Sequence, residues 1–239
     1  MRLLVKLVSI FCLSASLAYA GEVAKFNQEF DGLNISYRQI VASFQQDKKE
    51  LKIKAAENFA KKLDVLINNY KKPPPHFSEE KEWNETWVQV KSMADQALGL
   101  LQKNSTDNAR TVFEDLRELL ANLRKRNNII IHEDFIFAYY GRMDELVGSD
   151  FTPKSLGDDP KRIIELKEQL AVLSYLLEAM ENNAPDKLSN DTKFLMSLEE
   201  LSQSIEKVRQ AIETKDNSKI AAEVLNLRPT FMKFFLKHG

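Results

Sequence analysis

Cysteine is nearly absent: the 239 residues hold one, Cys12, and it sits in an apolar N-terminal run. A lone thiol forms no internal disulfide, and without that run no thiolate remains to bind zinc or attack a substrate. Histidine is scarce as well, the three being His76, His132 and His238. None has a Glu three residues before it, which sets aside the Glu-x-x-His ligation of di-iron bundles. Seven glycines and seven prolines leave few turns. Apart from Ile129, Ile130 and Ile131, no apolar alternation bounded by turn residues suggests a strand. No Ser/His/Asp or Cys/His constellation, phosphate loop or paired-carboxylate site can be picked out, so the chain is expected not to be an enzyme.

The N-terminus reads as an address. Arg2 and Lys6 precede a short apolar stretch from Leu7 to Leu17, and Ala18-Tyr19-Ala20 supplies small residues for signal peptidase. Cleavage is expected after Ala20, with residues 1–20 as signal peptide. The formal net charge is −1, or −3 without Arg2 and Lys6, so no basic excess points to nucleic acid. No apolar run after Gly21 is long enough to span a bilayer. A cysteine-free exported chain of this length fits the bacterial periplasm. Four N-x-S/T sequons, at Asn34, Asn84, Asn104 and Asn190, are the contrary sign for a eukaryotic secretory route.

Helical periodicity fills the remainder of the chain. Leu51, Ala55, Phe59, Leu63, Leu66 and Tyr70 share one face, and Ile163, Leu166, Leu170, Leu173, Leu177 and Met180 form a second seam. A break is expected near Asp31-Gly32. Pro73-Pro74-Pro75 forbids helix, and Ser78 should cap the restart. In the second half, Gly148 should close the helix from His132. Asp159 should cap the helix after it, Ser218 should cap the last, and Pro229 should kink or split that last helix.

Sliding the chain by about 111 residues sets core position on core position. Trp83 falls on Phe194, Trp87 on Leu198, Val90 on Leu201, Ala94 on Ile205, Phe113 on Val224 and Leu120 on Phe231, with the proline break opposite Pro185. The expected architecture is all-α: two tandem up-down four-helix bundles, residues 21–127 and 128–239, following the signal peptide. One larger merged bundle is the alternative.

The segment AMENNAPDKL…FLMSLEELSQSIEKVRQAIETKDNSKIAAEVLNLRP, Ala179 to Pro229, resembles the third and fourth helices of the periplasmic four-helix cytochromes, the soluble b-type and c-prime-type proteins. The likeness is best over Ala184 to Leu227 and reaches the first half only through the repeat. It implies the fold and the compartment. Those families hold haem with a His late in the last helix, and the b-type adds a Met on the first. The chain departs from both, since no C-x-x-C-H occurs and the axial positions fall near Phe235 and Arg124. Met143 and His238 are the nearest substitutes as haem ligands.

Other candidates carry a bland reading beside the functional one. His132 and Glu133, with Asp134, could hold a metal, but consecutive residues point apart on a helix and carboxylates suit a helix start. His76 follows the prolines and should be solvated. Arg117 and Arg228 match across the repeat and could bind an acidic partner, or could form ion pairs on a flank. No cofactor is expected, with haem b or a transition metal as the alternative. The expected function is a non-enzymatic periplasmic protein that binds a partner protein or a small ligand. The second reading is a haem- or metal-binding electron carrier.

Overall fold

The structure, a computed structural model, describes the backbone of residues 2–238 and the side chains of residues 20–238. The side chains of the expected leader, Cys12 included, lie outside the described residues. Among the described residues the fold is all-helical, with ten α-helices, one 3-10 turn and no strand. No helix among them is long and apolar enough to cross a membrane. The chain divides into two compact units, Met1–Ile129 and Ile130–Gly239.

The first unit holds α1 (Arg2–Phe44), α2 (Lys49–Asn69), a 3-10 turn (Pro75–Phe77), α3 (Trp83–Gln102) and α4 (Thr106–Arg126). Helix α1 runs through Gly32 without the expected break. A helix-interior glycine costs about 1 kcal/mol, and burial of Phe30 and Leu33 on either side outweighs it. Lys62 also donates to the Gly32 carbonyl at 2.9 Å. Cross-links from Asn58 to Gln39 and from Asn69 to Glu29 set α2 antiparallel to α1. Lys91 on Asp64, and Trp83 Nε1 on the Tyr70 carbonyl at 2.8 Å, set α3 antiparallel to α2.

Two further expectations about the helices fail in this unit. Ser78 ends the 3-10 turn rather than starting α3, whose first residue is Trp83; packing of the Trp83 indole on Phe77 fixes the restart there. On α2 the buried stripe is Lys52, Ala56, Phe59, Leu63 and Leu66, while Leu51 faces solvent. Two helical turns span 7.2 residues, so the residue seven before Phe59 faces inward better than the residue eight before it.

The second unit holds α5 (His132–Gly148), α6 (Pro153–Asp158), α7 (Lys161–Asn182), α8 (Asp186–Ser189), α9 (Thr192–Thr214) and α10 (Asn217–His238). Short α6 and α8 are additions to the expected helices. Helix α6 is seeded by Thr152, whose hydroxyl accepts from the Ser155 amide, with Pro153 at its first position. Pro160 stands just before α7 rather than at its first position, and Asp159 before it accepts from Lys161 N at 2.9 Å. Gly148 is the last residue of α5 and not its stop. The cap of α10 is Asp216, which accepts from Lys219 N at 3.0 Å, rather than Ser218. Helix α10 also runs unsplit through Pro229. The lost Pro229 amide costs one backbone bond, while Phe231, Met232, Phe234 and Phe235 beyond it are all buried. The ion pair of Lys233 with Glu200 and the contact of His238 with Ser197 set α10 antiparallel to α9.

Candidate functional site

Two of the three histidines meet at one end of the second unit. His132 opens α5 and His238 ends α10; both set their rings edge-on or nearly so to Phe194, with centroids at 5.7 and 5.4 Å. His132 is buried, and neither ring nitrogen has a partner in hydrogen-bonding geometry. Burial lowers its pKa; the charge of Glu133 and the backbone of Met180 offset part of that. His238 is half-buried, its Nε2 3.1 Å from the Ser197 hydroxyl. Burial lowers its pKa too, against the pull of Asp191 and helped by Lys237.

Glu133 is half-buried beside His132, but the carboxylate that closes the start of α5 is that of Asp134, which accepts from Ile131 N at 3.1 Å. Among the described residues no group of three His, Cys, Asp or Glu side chains is close enough to hold a metal.

Met143 and His238 are not brought together. Arg228 pairs with Asp144, the neighbour of Met143, at 2.6 Å. His238 lies ten residues beyond Arg228, about 15 Å along the axis. Met143 is fully buried. The positions implied by the cytochrome resemblance carry Phe235, stacked on Phe231, and Arg124, whose guanidinium lies over Phe30. Haem held between a helix-one Met and a late helix-four His does not fit these residues. Of the two matched arginines, Arg228 forms the flank ion pair with Asp144, and Arg117 is half-buried on α4.

The first unit ends differently. Phe26 is surrounded by Tyr70, His76, Phe77 and Trp83, with centroids between 4.9 and 6.0 Å. His76 is therefore not solvated, as expected from its loop, but tucked against Phe26 and Phe77 with both nitrogens buried. The 3-10 turn, set by the prolines before it, directs it inward. Beside this cluster Glu80 ties α4 to the loop, accepting from Asn127 at 2.6 Å, from Arg126 at 3.3 Å and from Glu82 N at 3.0 Å. Burial alone would raise the pKa of Glu80, but those hydrogen bonds outweigh it and hold the carboxyl below its usual range.

One concave feature has no counterpart in the sequence-based candidates. A groove of about 350 Å³ runs between α9 and α10, lined by Glu200, Gln203, Ser204, Lys207, Pro229, Thr230 and Lys233. Lys233 is held by Glu200 at 2.8 Å, and Thr230 donates to the Asn226 carbonyl at 2.9 Å. The only trace of the groove in the sequence is Pro229 inside a helical pattern. Comparison of the chain with known protein families, with curated proteins and with solved structures gives no match.

Proposed function

We propose that the chain is an exported, non-enzymatic periplasmic protein built from two copies of an up-down four-helix bundle, and that it binds a partner protein or small ligand. What carries the reading is one buried register repeated in both units. In α3 and α9 the buried pairs are Trp83 with Phe194, Trp87 with Leu198, Val90 with Leu201, Ala94 with Ile205 and Ala97 with Val208. In α4 and α10 they are Phe113 with Val224, Leu116 with Leu227, Leu120 with Phe231 and Leu123 with Phe234.

The other two helices match at shifted offsets, as loops of unequal length require. Lys52, Ala56, Phe59, Leu63 and Leu66 of α2 correspond to Leu166, Leu170, Leu173, Leu177 and Met180 of α7. Phe26, Phe30, Leu33, Tyr37 and Ile40 of α1 correspond to His132, Ile136, Tyr139, Met143 and Leu146 of α5. A contact repeats along with the burial: Phe26 touches Trp83, and His132 touches Phe194. Matched burial alone comes with any amphipathic helix; a matched inter-helix contact at the matched positions is harder to produce by chance. The kinship with four-helix cytochromes then concerns the fold, with the haem ligands replaced.

The test is made on protein isolated from the periplasmic fraction. Mass spectrometry should find a chain beginning at Gly21, and the absorption spectrum should show no Soret band before or after haem titration. A small ligand or partner should raise the melting temperature in a concentration-dependent way. A stoichiometric haem, or turnover of a substrate, would defeat the proposal.

A further inference from the structure

The α9–α10 groove lies where matched positions of the proposed repeat differ in side-chain bulk. On the register of the repeat, Ser204 stands where the first unit has Met93, and Thr230 where it has Leu119, both half-buried there. Two apolar side chains that would cover the helix–helix seam are thus replaced by two short hydroxyl residues. Pro229 stands opposite Glu118. The Ser204 and Thr230 hydroxyls donate to the Leu201 and Asn226 carbonyls at 2.7 and 2.9 Å, so their oxygens keep lone pairs that can accept in the groove.

Charge in the groove is divided. The Lys233–Glu200 pair neutralises one end. It also fixes the level of the antiparallel helices: two turns further along α9, Lys207 comes level with the Leu225–Asn226 turn of α10. Lys207 is exposed and makes no ion pair or hydrogen bond among the described residues. A free cation and two hydroxyl oxygens able to accept therefore line one hollow of about 350 Å³, a size within the range of small-molecule sites.

We propose that this groove binds a small organic acid that also carries a hydroxyl or amino group. Its carboxylate meets the Lys207 ammonium, its hydroxyl or amino hydrogen reaches the Ser204 or Thr230 hydroxyl oxygen, and its short carbon chain lies over Pro229. This deepens the binding-protein reading and rests on it.

The test uses calorimetry on the full-length mature protein with L-malate and L-glutamate as probes, and propionate and chloride at equal ionic strength as controls. Saturable binding of malate or glutamate in the millimolar range or tighter, with none of propionate, is the expected result. Lys207→Gln, an exposed change that leaves folding intact, should weaken binding at least tenfold. Ser204→Met with Thr230→Leu, which refills the groove with the first unit's residues, should abolish it while helicity is retained. No saturable binding of either probe overturns the proposal. Equal binding by wild type and the refilled variant overturns the groove as the site and leaves the binding-protein reading standing. Turnover of the bound acid would do the reverse.

Discussion

The ends of the two units where the loop before the third long helix returns are closed in different ways. In the first, Phe26 is packed by Tyr70, Phe77 and Trp83, and Glu80 fastens the loop to the end of α4. In the second, His132 packs on Phe194, the loop contributes α8 with no buried residue, and the end of α10 leans on Phe194 through His238. The first closure is built on Phe26, with His76 among its ring contacts, and the second on His132 and His238 against Phe194. Both ends hold histidines whose pKa burial lowers, His76 in the first and His132 and His238 in the second, and both should respond to pH near neutrality.

The largest effects should come from Trp83 and Phe194, which the proposed repeat makes equivalent. Trp83→Ala and Phe194→Ala each remove a side chain almost wholly out of solvent, and each should cost about 3–5 kcal/mol. Trp83→Ala also orphans the Tyr70 carbonyl that its indole N–H satisfies, so it should sit at the upper end. Urea denaturation of both variants measures this. A loss below about 1 kcal/mol at either site would mean that the two positions are not equivalent.

Pro229→Ala probes a position where the units diverge. Restoring the amide lets α10 recover the bond to the Leu225 carbonyl, and the exchange should stabilise the second unit by about 1–3 kcal/mol. A rise in melting temperature is the expected readout. A fall would mean that the helix is built around the proline. Glu80→Gln should cost the first unit about 1–3 kcal/mol, because it strips the charge from a buried acceptor of several hydrogen bonds. Since the folded-state pKa of Glu80 is lowered, its contribution is complete above the unfolded value of 4.5 and vanishes as pH falls through the folded value. The wild-type loss of stability below pH 4.5 should therefore flatten in the variant.

His132 acts in the next pH window up. Its folded-state pKa is lowered from 6.5, so the native state binds fewer protons than the unfolded chain and stability falls as pH drops below 6.5. His76 and His238 are shifted in the same direction and add to the slope. His132→Phe, which installs the residue of the first unit, should reduce the loss in melting temperature between pH 7 and pH 5. An unchanged slope would assign it to the other two histidines.

Much of the core was legible because it depends only on helical period: α3, α4 and α9 bury the positions that spacing selects, and α7 buries all of its seam but Ile163, which is half-buried. The misses have local physical causes. Glycine at position 32 costs too little to break a helix whose neighbours, Phe30 and Leu33, are both buried. Pro229 costs more, yet four buried residues come after it and hold the last turns in place. Asp216 rather than Ser218 caps α10 because the helix begins two residues earlier than the pattern suggested. His76 and the groove were illegible for another reason. Whether a loop histidine turns inward, or a seam between helices is filled, depends on side chains from distant segments meeting, and a single sequence does not state those distances.

The smallest expected effect is at the arginines matched by register. Arg228 and Asp144 lie 2.6 Å apart, but both side chains are more than 40 % exposed. Water screens such a pair and the side chains lose freedom in forming it, so Asp144→Asn should cost no more than about 1 kcal/mol. The dependence on salt separates two roles for Arg228. A flank ion pair loses what little it contributes as salt rises, and the variant and wild type should converge in melting temperature. If Arg228 instead serves an acidic partner, Asp144→Asn frees the guanidinium and should strengthen partner binding at low salt while stability hardly moves. Melting curves and a binding titration on the same variant thus decide whether the matched arginine belongs to the scaffold or to a surface that the scaffold presents.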